Sequence, residues 1–505
     1  MKKAKLIISS ALLLTCLNTS AQKIRVHTIG DSTMADYAEN TTRTRGWGEM
    51  LQEFFDSTQV RIMNYARGGR SSHSFHHEGL WDHVKQNMQK GDYVLIQFAH
   101  NDEKEGGVDG ADFRGTAPWT TYRRYLELYV DESRAKGAVP VFVTPIIRRY
   151  FDRDERITRR GLHDLGPADN DSVLNYVRVM ETVAKAKNVP VVEMTELTRR
   201  LAEQLGKEAT TRQIYVPTDG THTQATGAAV YAQLASKEMK RMGLLAESIN
   251  SDVELVLNPT SLNLGTLYAG DEAVQCFDLT GIALKPEAGK ITLRAPKGTT
   301  ISVDDDKVKG AAVVSLDYSD GKLWNRQFFL HMSPKGNKHF SDAIKVDWDG
   351  GKRQLPVTAE WRKPSVQTNV TIDNLEISTK GLADASGKAP VSIELPAEID
   401  ESAGRYVEFV VKATGKTLLL KKLRLTVDGN ISYRIAYARG KDFYPRTDIG
   451  EQQRGSDGKH FVECNVGTAI QPGAALHIRL FPWSVAGGKT EFSISDLKVD
   501  AVEME

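Results

Sequence analysis

Residues Lys23 to Tyr37 read KIRVHTIGDSTMADY, an alternating run rich in β-branched residues that ends on Gly30-Asp31-Ser32. A strand that stops on glycine and then turns is how an open parallel sheet delivers a polar group to its carboxyl edge. The triplet alone decides nothing, because Gly, Asp and Ser each have local reasons to sit in a turn. Four further short runs, VRIMNYA, YVLIQFA, VPVFVT and VPVVEM, alternate with stretches at helical spacing: GWGEMLQEFF, TTYRRYLELYVDESRAKG and SVLNYVRVMETVAKAKN. In the first of these, Trp47, Met50, Leu51, Phe54 and Phe55 share one face, which predicts Trp47 in the core rather than stacked on a sugar. Strand and helix repeated five times between Lys23 and about Leu245 predict a parallel sheet with helices on both faces.

Ligands of such sheets bind beyond the carboxyl ends of the strands, so the residues that follow each strand form the candidate site. They are Ser32 after the first, Arg67-Gly68-Gly69-Arg70-Ser71 after the second, His100-Asn101-Asp102 after the third and Pro145 with Arg148 and Arg149 after the fourth. PTDGTHTQATG, before the last long helix, adds Asp219 and His222. This set is complete for acyl transfer. A serine needs a base within hydrogen-bond reach, and the base needs a group that fixes its tautomer; Ser32, His222 and Asp219 fill those roles. The Ser32 N–H, the Gly69 N–H and the Asn101 side-chain amide are candidate donors to a tetrahedral oxyanion. Arg70, Arg148 and Arg149 suit bidentate pairing with uronate carboxylates and equally suit surface salt bridges.

GDST, NYARGGRSS, FAHND and DGTH, in this order, resemble the four blocks of the SGNH, or GDSL-type, hydrolases. More narrowly, GDSTMAD, GWGEML, GGRSSHSF and TPIIRRYFD are similar to rhamnogalacturonan acetylesterases, which deacetylate pectin. The resemblance spans about Ile24 to Leu245. It implies a three-layer α/β/α domain of flavodoxin-like type, with Ser32, Asp219 and His222 as catalytic residues and Ser32, Gly69 and Asn101 as the oxyanion hole. His100, Arg70 and Arg148 are taken as candidate substrate contacts. Ala99 stands where the third block usually has glycine, a change that removes no catalytic atom. Insertions expected around EKEGGVDGADFRGTAPW and DRDERITRRGLHDLGPADND would shape the substrate cleft.

The rest of the chain sets the context. Three lysines, an apolar run from Leu6 to Leu17 and small residues ending at Ala21 predict a signal peptide over residues 1–21 and export to the periplasm or cell exterior. Cys16 would suit a lipoprotein only after a small residue, which Thr15 is not. No later segment is apolar enough to span a membrane. With 66 Lys plus Arg against 65 Asp plus Glu, no basic field favours nucleic acid. The hydrolase domain is expected over residues 22–248. Strands divided by turns then predict an immunoglobulin-like β-sandwich over 252–362, a linker at Arg362-Lys363-Pro364-Ser365, and a second β-sandwich over 366–505. Cys276 and Cys464 fall in different modules and are expected to be small buried residues without a disulfide. Trp324, Trp348, Trp361, Tyr444 and Trp483 are expected mainly in strand cores, with sugar platforms the alternative.

SHSFHHEGLWDH carries four histidines but lacks metal-ligand spacing, so a solvated loop is expected and no metal. No cofactor is required. The sequence thus points to a secreted carbohydrate esterase acting on acetylated polysaccharide, most simply pectic. The alternatives are the same fold on xylan acetyl, pectin methyl, lipid or thioester bonds, or a glycan-binding surface protein with a vestigial hydrolase domain.

Overall fold

A computed structural model describes residues 23–37, 42–104, 114–166, 173–250, 252–268, 272–362, 367–383, 385, 387–396, 404–439, 443, 447–453, 458–485 and 489–504. The expected signal peptide and Cys16, much of the first insertion, the end of the second, Lys363, Pro364 and Ser365 of the expected linker, and Tyr444 lie outside these residues, while Arg362 ends a strand.

The first domain holds a parallel sheet of β1 (Ile24–Gly30), β2 (Val60–Asn64), β3 (Tyr93–Gln97), β4 (Val139–Val143) and β5 (Val191–Val192) in the order β2-β1-β3-β4-β5. The strands are short and nearly all apolar because both faces are covered. Along β3, Leu95 packs into one core and Val94 and Ile96 into the other; along β4, Val141 and Val143 oppose Phe142 in the same way. VPVVEM contributes only two strand residues, since Met194 already opens a helix.

Among the described residues, six α-helices flank the sheet: α1 (Ser72–His77), α2 (Leu80–Asn87), α3 (Arg123–Ala135), α4 (Tyr176–Lys187), α5 (Met194–Ala209) and α6 (Ala225–Arg241). GWGEMLQEFF forms a 3-10 helix, Trp47–Phe54, with Trp47 fully buried as expected and its indole donating to Gln97 at 2.8 Å. The histidine-rich stretch corrects the expectation of a loop. It forms α1 and α2, because Ser71 and Ser74 make a capping box at the start of α1 while Phe75, Trp81 and Val84 turn into the core. His73 and His76 pack on Tyr125.

From Leu255 onward every regular element among the described residues is a strand. A four-stranded and a five-stranded sheet make the second module, the latter closed by the hairpin of Lys338–Trp348 and Gly351–Arg362. Its edge strand Leu262–Tyr268 runs parallel to Gly351–Arg362. A five-stranded and a six-stranded sheet make the third module. Each module encloses its own apolar core. Trp361 and Trp483 are buried, Trp324 and Trp348 half-buried, and Cys276 and Cys464 are buried and not disulfide-bonded among the described residues.

The second module is docked on the first through polar groups as well as apolar ones. The fully buried Arg45 pairs with Asp278, Arg353 pairs with Glu53, and Asn258 donates to Glu49 at 2.8 Å. Asn325 caps α6 from outside its own domain: its Oδ1 accepts from Thr226 N–H at 3.1 Å and its own N–H donates to Thr226 Oγ1 at 2.9 Å. Helix α6 begins three residues after His222, so this contact steadies the segment that carries the histidine.

Candidate active site

β1 ends at Gly30, where an added Cβ would lie 2.7 Å from the Gln97 carbonyl, so the strand can turn only with a small residue there. Asp31 holds the turn. Its Oδ1 accepts from the Thr33 amide at 2.9 Å and the Thr33 hydroxyl at 2.7 Å, and its backbone carbonyl accepts from Met34 and Ala35. Beneath it, Trp47 donates to Gln97 and Gln97 donates to Thr33 at 2.8 Å, a buried polar chain under the half-exposed Ser32. Tyr37 donates to the Ser32 carbonyl at 2.8 Å, leaving Oγ as the outward group.

Ser32 Oγ lies 2.9 Å from His222 Nε2, and His222 Nδ1 lies 2.6 Å from Asp219 Oδ2. The DGTH turn makes this geometry local. Asp219 Oδ1 accepts from the Thr221 and His222 amides at 2.7 and 3.2 Å, while Val216 and His222 close the loop at 2.9 Å. Burial would raise the Asp219 carboxyl, but the His222 hydrogen bond, the Thr221 amide and the His222 charge more than offset it and hold it below its ordinary value. An ionised Asp219 keeps the imidazole proton on Nδ1 and leaves Nε2 to accept from Ser32.

The loop after β2 passes directly over this serine. A Cβ built on Gly68 would stand 3.9 Å from the Ser32 Cβ, and Gly69 takes φ +77°, the left-handed region that favours glycine. Asn101 donates one amide hydrogen to the Arg70 carbonyl at 3.1 Å, which fixes its head group and leaves the second hydrogen for another acceptor. Asp102 ties the two loops together by accepting from the Ser72 amide, Ser72 Oγ and Thr116 Oγ1.

Each of the three expected substrate contacts has partners within the protein. His100 is 2% exposed, faces Asp31 at 3.1 Å and packs edge-on against His163, so it backs the site. Arg148 pairs with Glu103, donates to the His100 carbonyl at 2.9 Å and reaches Thr221 beside the histidine, and it also lines a cleft of about 790 Å³ with Tyr150, Arg159 and Arg160. Arg70 pairs with Glu78 behind the Gly68 carbonyl. Both arginines thus make internal ion pairs, neither the surface bridges nor the open cations that were weighed from sequence. Asp31, Gln97, Glu103 and His163 were not singled out. Their only sequence signal was a polar residue inside an apolar strand or loop.

This buried network predicts a pH dependence. Burial holds His100 down to about 4, against an ordinary 6.5, with Asp31 opposing. Burial would raise Asp31 and Glu103, yet the His100 and Thr33 contacts hold Asp31 at about 2 and the His163 and Arg148 contacts hold Glu103 at about 2. Between pH 6.5 and about 4 the unfolded chain takes up a proton that folded His100 refuses, so stability falls as pH falls, by roughly 3 kcal/mol from this group alone. Below pH 4 the two carboxylates extend the loss. Burial also holds Asp102 up at about 7 and Glu49 up at about 8, and these carboxyls act in the opposite sense, so the His100 part is read as a difference. Relative to wild type, His100→Asn should gain stability as pH falls from 7 to 4, and a pH-independent difference between the two proteins' denaturant midpoints would exclude His100 as its source.

Known proteins place this geometry in context. The family described as GDSL-like Lipase/Acylhydrolase matches residues 26–235. Rhamnogalacturonan acetylesterase RhgT of Bacillus subtilis is 35% identical over 233 residues, 44% of this chain and 91% of that protein. The probable rhamnogalacturonan acetylesterase YesY of the same organism is 30% identical, covering 44% of this chain and 96% of that protein. A rhamnogalacturonan acetylesterase of Emericella nidulans is 27% identical over 48% of this chain and 95% of its own length. In each case nearly the whole relative corresponds to somewhat under half of this chain, the share that the first domain represents. The chain therefore belongs, through its first domain, to the GDSL-like lipase/acylhydrolase family of ester hydrolases.

Proposed function

We propose that this protein is an exported carbohydrate esterase that removes O-acetyl groups from plant cell-wall polysaccharide, pectic rhamnogalacturonan foremost, with catalysis in residues 22–248 and two β modules at 252–362 and 366–505. The reading is carried by one observation: Ser32 Oγ, His222 and Asp219 form a continuous hydrogen-bonded chain of 2.9 and 2.6 Å at the carboxyl edge of the sheet. The named activities of the relatives support the acetyl and pectic parts.

Ser32 Oγ attacks the acetyl carbonyl as His222 Nε2 takes its proton, and Asp219 stabilises the imidazolium. The oxyanion accepts from the Ser32 and Gly69 amides and from the free Asn101 amide hydrogen. Each such donor contributes on the order of 3 to 4 kcal/mol to lowering the barrier. Collapse expels the sugar hydroxyl, which receives the proton from His222. Water deprotonated by the same histidine then hydrolyses acetyl-Ser32 and releases acetate.

Mass spectrometry of acetylated oligosaccharides from pectin, xylan and glucomannan, before and after treatment, tests this directly. Acetate should leave rhamnogalacturonan fragments fastest. Faster loss from xylan would move the substrate, and methanol or fatty acid release exceeding acetate would overturn the acetylesterase reading.

A further inference from the structure

We propose that Arg67, Arg70 and Arg434 form a carboxylate subsite at the seam between the catalytic domain and the C-terminal module, filled in the free protein by Asp448 and taken over by a uronate of the polymer; this rests on the polysaccharide reading above. Asp448 lies on strand Thr447–Gln453, held in register opposite Ala436 of strand Ile431–Ala438. Its Oδ2 is 3.8 Å from Arg67 Nη2, 3.7 Å from Arg70 Nη2 and 3.7 Å from Arg434 Nη1. Guanidinium forks from two domains therefore converge on one carboxylate oxygen, the arrangement that recognises a carboxylate.

These contacts are ion-pair distances, longer than hydrogen bonds, so an incoming carboxylate can compete for them. The geometry also suits exchange. The Arg67 and Asp448 side chains are 34% and 29% exposed, whereas Arg70 and Arg434 lie behind them at 6% and 10%. Arg114 Nη1 lies within 4.0 Å of where a Gly69 Cβ would stand, so a further guanidinium borders the site. The site is next to the chemistry, because Arg67 and Arg70 bracket Gly68 and Gly69, the glycines laid over Ser32. A sugar with its ester at Ser32 would bring an adjoining ring to these cations. The C-terminal module would then be one wall of the cleft.

The test uses the full chain hydrolysing 4-nitrophenyl acetate, with unesterified tri-galacturonate or neutral xylotriose as competitor. Tri-galacturonate should inhibit the wild type competitively, and xylotriose much less. Its inhibition constant should rise at least about 5-fold in Arg67→Ala, recover in part in Arg67→Lys, and fall at least about 3-fold in Asp448→Ala. No inhibition of the wild type, or a shift in the same direction in Arg67→Ala and Asp448→Ala, would overturn the subsite. The latter result would mean that Asp448 only holds the module in place. Because competition needs no acetylated pectin, the subsite can stand where the pectic preference fails. Acetate release from pectin without galacturonate competition would do the reverse.

Discussion

Ser32→Ala should lower acetate release by a factor of about 10⁴ to 10⁶, and His222→Ala by a similar factor, with the double variant little worse than either. The non-additivity follows from the geometry. In the proposed mechanism His222 Nε2 acts through Ser32 Oγ, 2.9 Å away, so each residue without the other would have no proton to move. Folding should be almost untouched by the serine change. The Ser32 hydroxyl points to His222, while its backbone is held by Tyr37 and the turn around it by Asp31 and Thr33. Near-wild-type melting with lost turnover therefore separates chemistry from structure. Acetate release from Ser32→Ala within tenfold of wild type would remove Ser32 as nucleophile, and activities of the two single variants that simply multiply in the double would show that they do not act as a unit.

The parts of the fold that sequence reveals are those whose signal is local. Short apolar runs such as YVLIQF, with β-branched IRVHTI, are enough to place the strands, because both faces of a covered parallel sheet demand apolar side chains. The turns at Ser32, Gly69 and Asn101 could be assigned to one edge without coordinates, since a parallel sheet sends every strand end the same way; His222 follows a helix, and only its Asp-x-x-His spacing before α6 marked it. The misread histidine-rich stretch shows the limit: Phe75, Trp81 and Val84 are too sparse among four histidines to show a helix, and only the Ser71–Ser74 cap and the core behind it make one. Long-range pairing was equally hidden. Nothing local in Asp278 names Arg45, 233 residues away, and nothing in Asp448 names Arg67 or Arg70. The burial of His100 and Arg148 was likewise set by Asp31 and Glu103, whose partners lie 69 and 45 residues distant.

Breaking the Arg45–Asp278 pair on one side should cost about 3 to 5 kcal/mol, the largest stability effect expected in the protein. Both side chains are essentially inaccessible, and the guanidinium also donates to the carbonyls of Thr42 and Thr44 at 2.9 and 2.7 Å. In Asp278→Leu the cation stays buried with Glu49 3.9 Å away, beyond hydrogen-bond distance, and with burial pushing that carboxyl up, so Glu49 is a poor substitute for the lost hydrogen-bonded partner. In Arg45→Met the stranded group is the Asp278 carboxylate, left with Asn258 at 3.4 Å. Arg45→Met/Asp278→Leu removes both charges and should recover most of the loss, because paired burial returns little beyond its own desolvation cost. Denaturant midpoints for the four proteins close a double-mutant cycle, and an additive result would show that the two groups do not depend on each other. Activity adds a second readout. The Arg45 backbone donates to the Thr223 carbonyl at 2.9 Å and accepts from the Thr223 hydroxyl at 2.7 Å, one residue beyond His222. A single-site break that loosens this seam should therefore lower kcat for acetate release along with stability, and the double variant should restore both together if the second module steadies the histidine through Arg45.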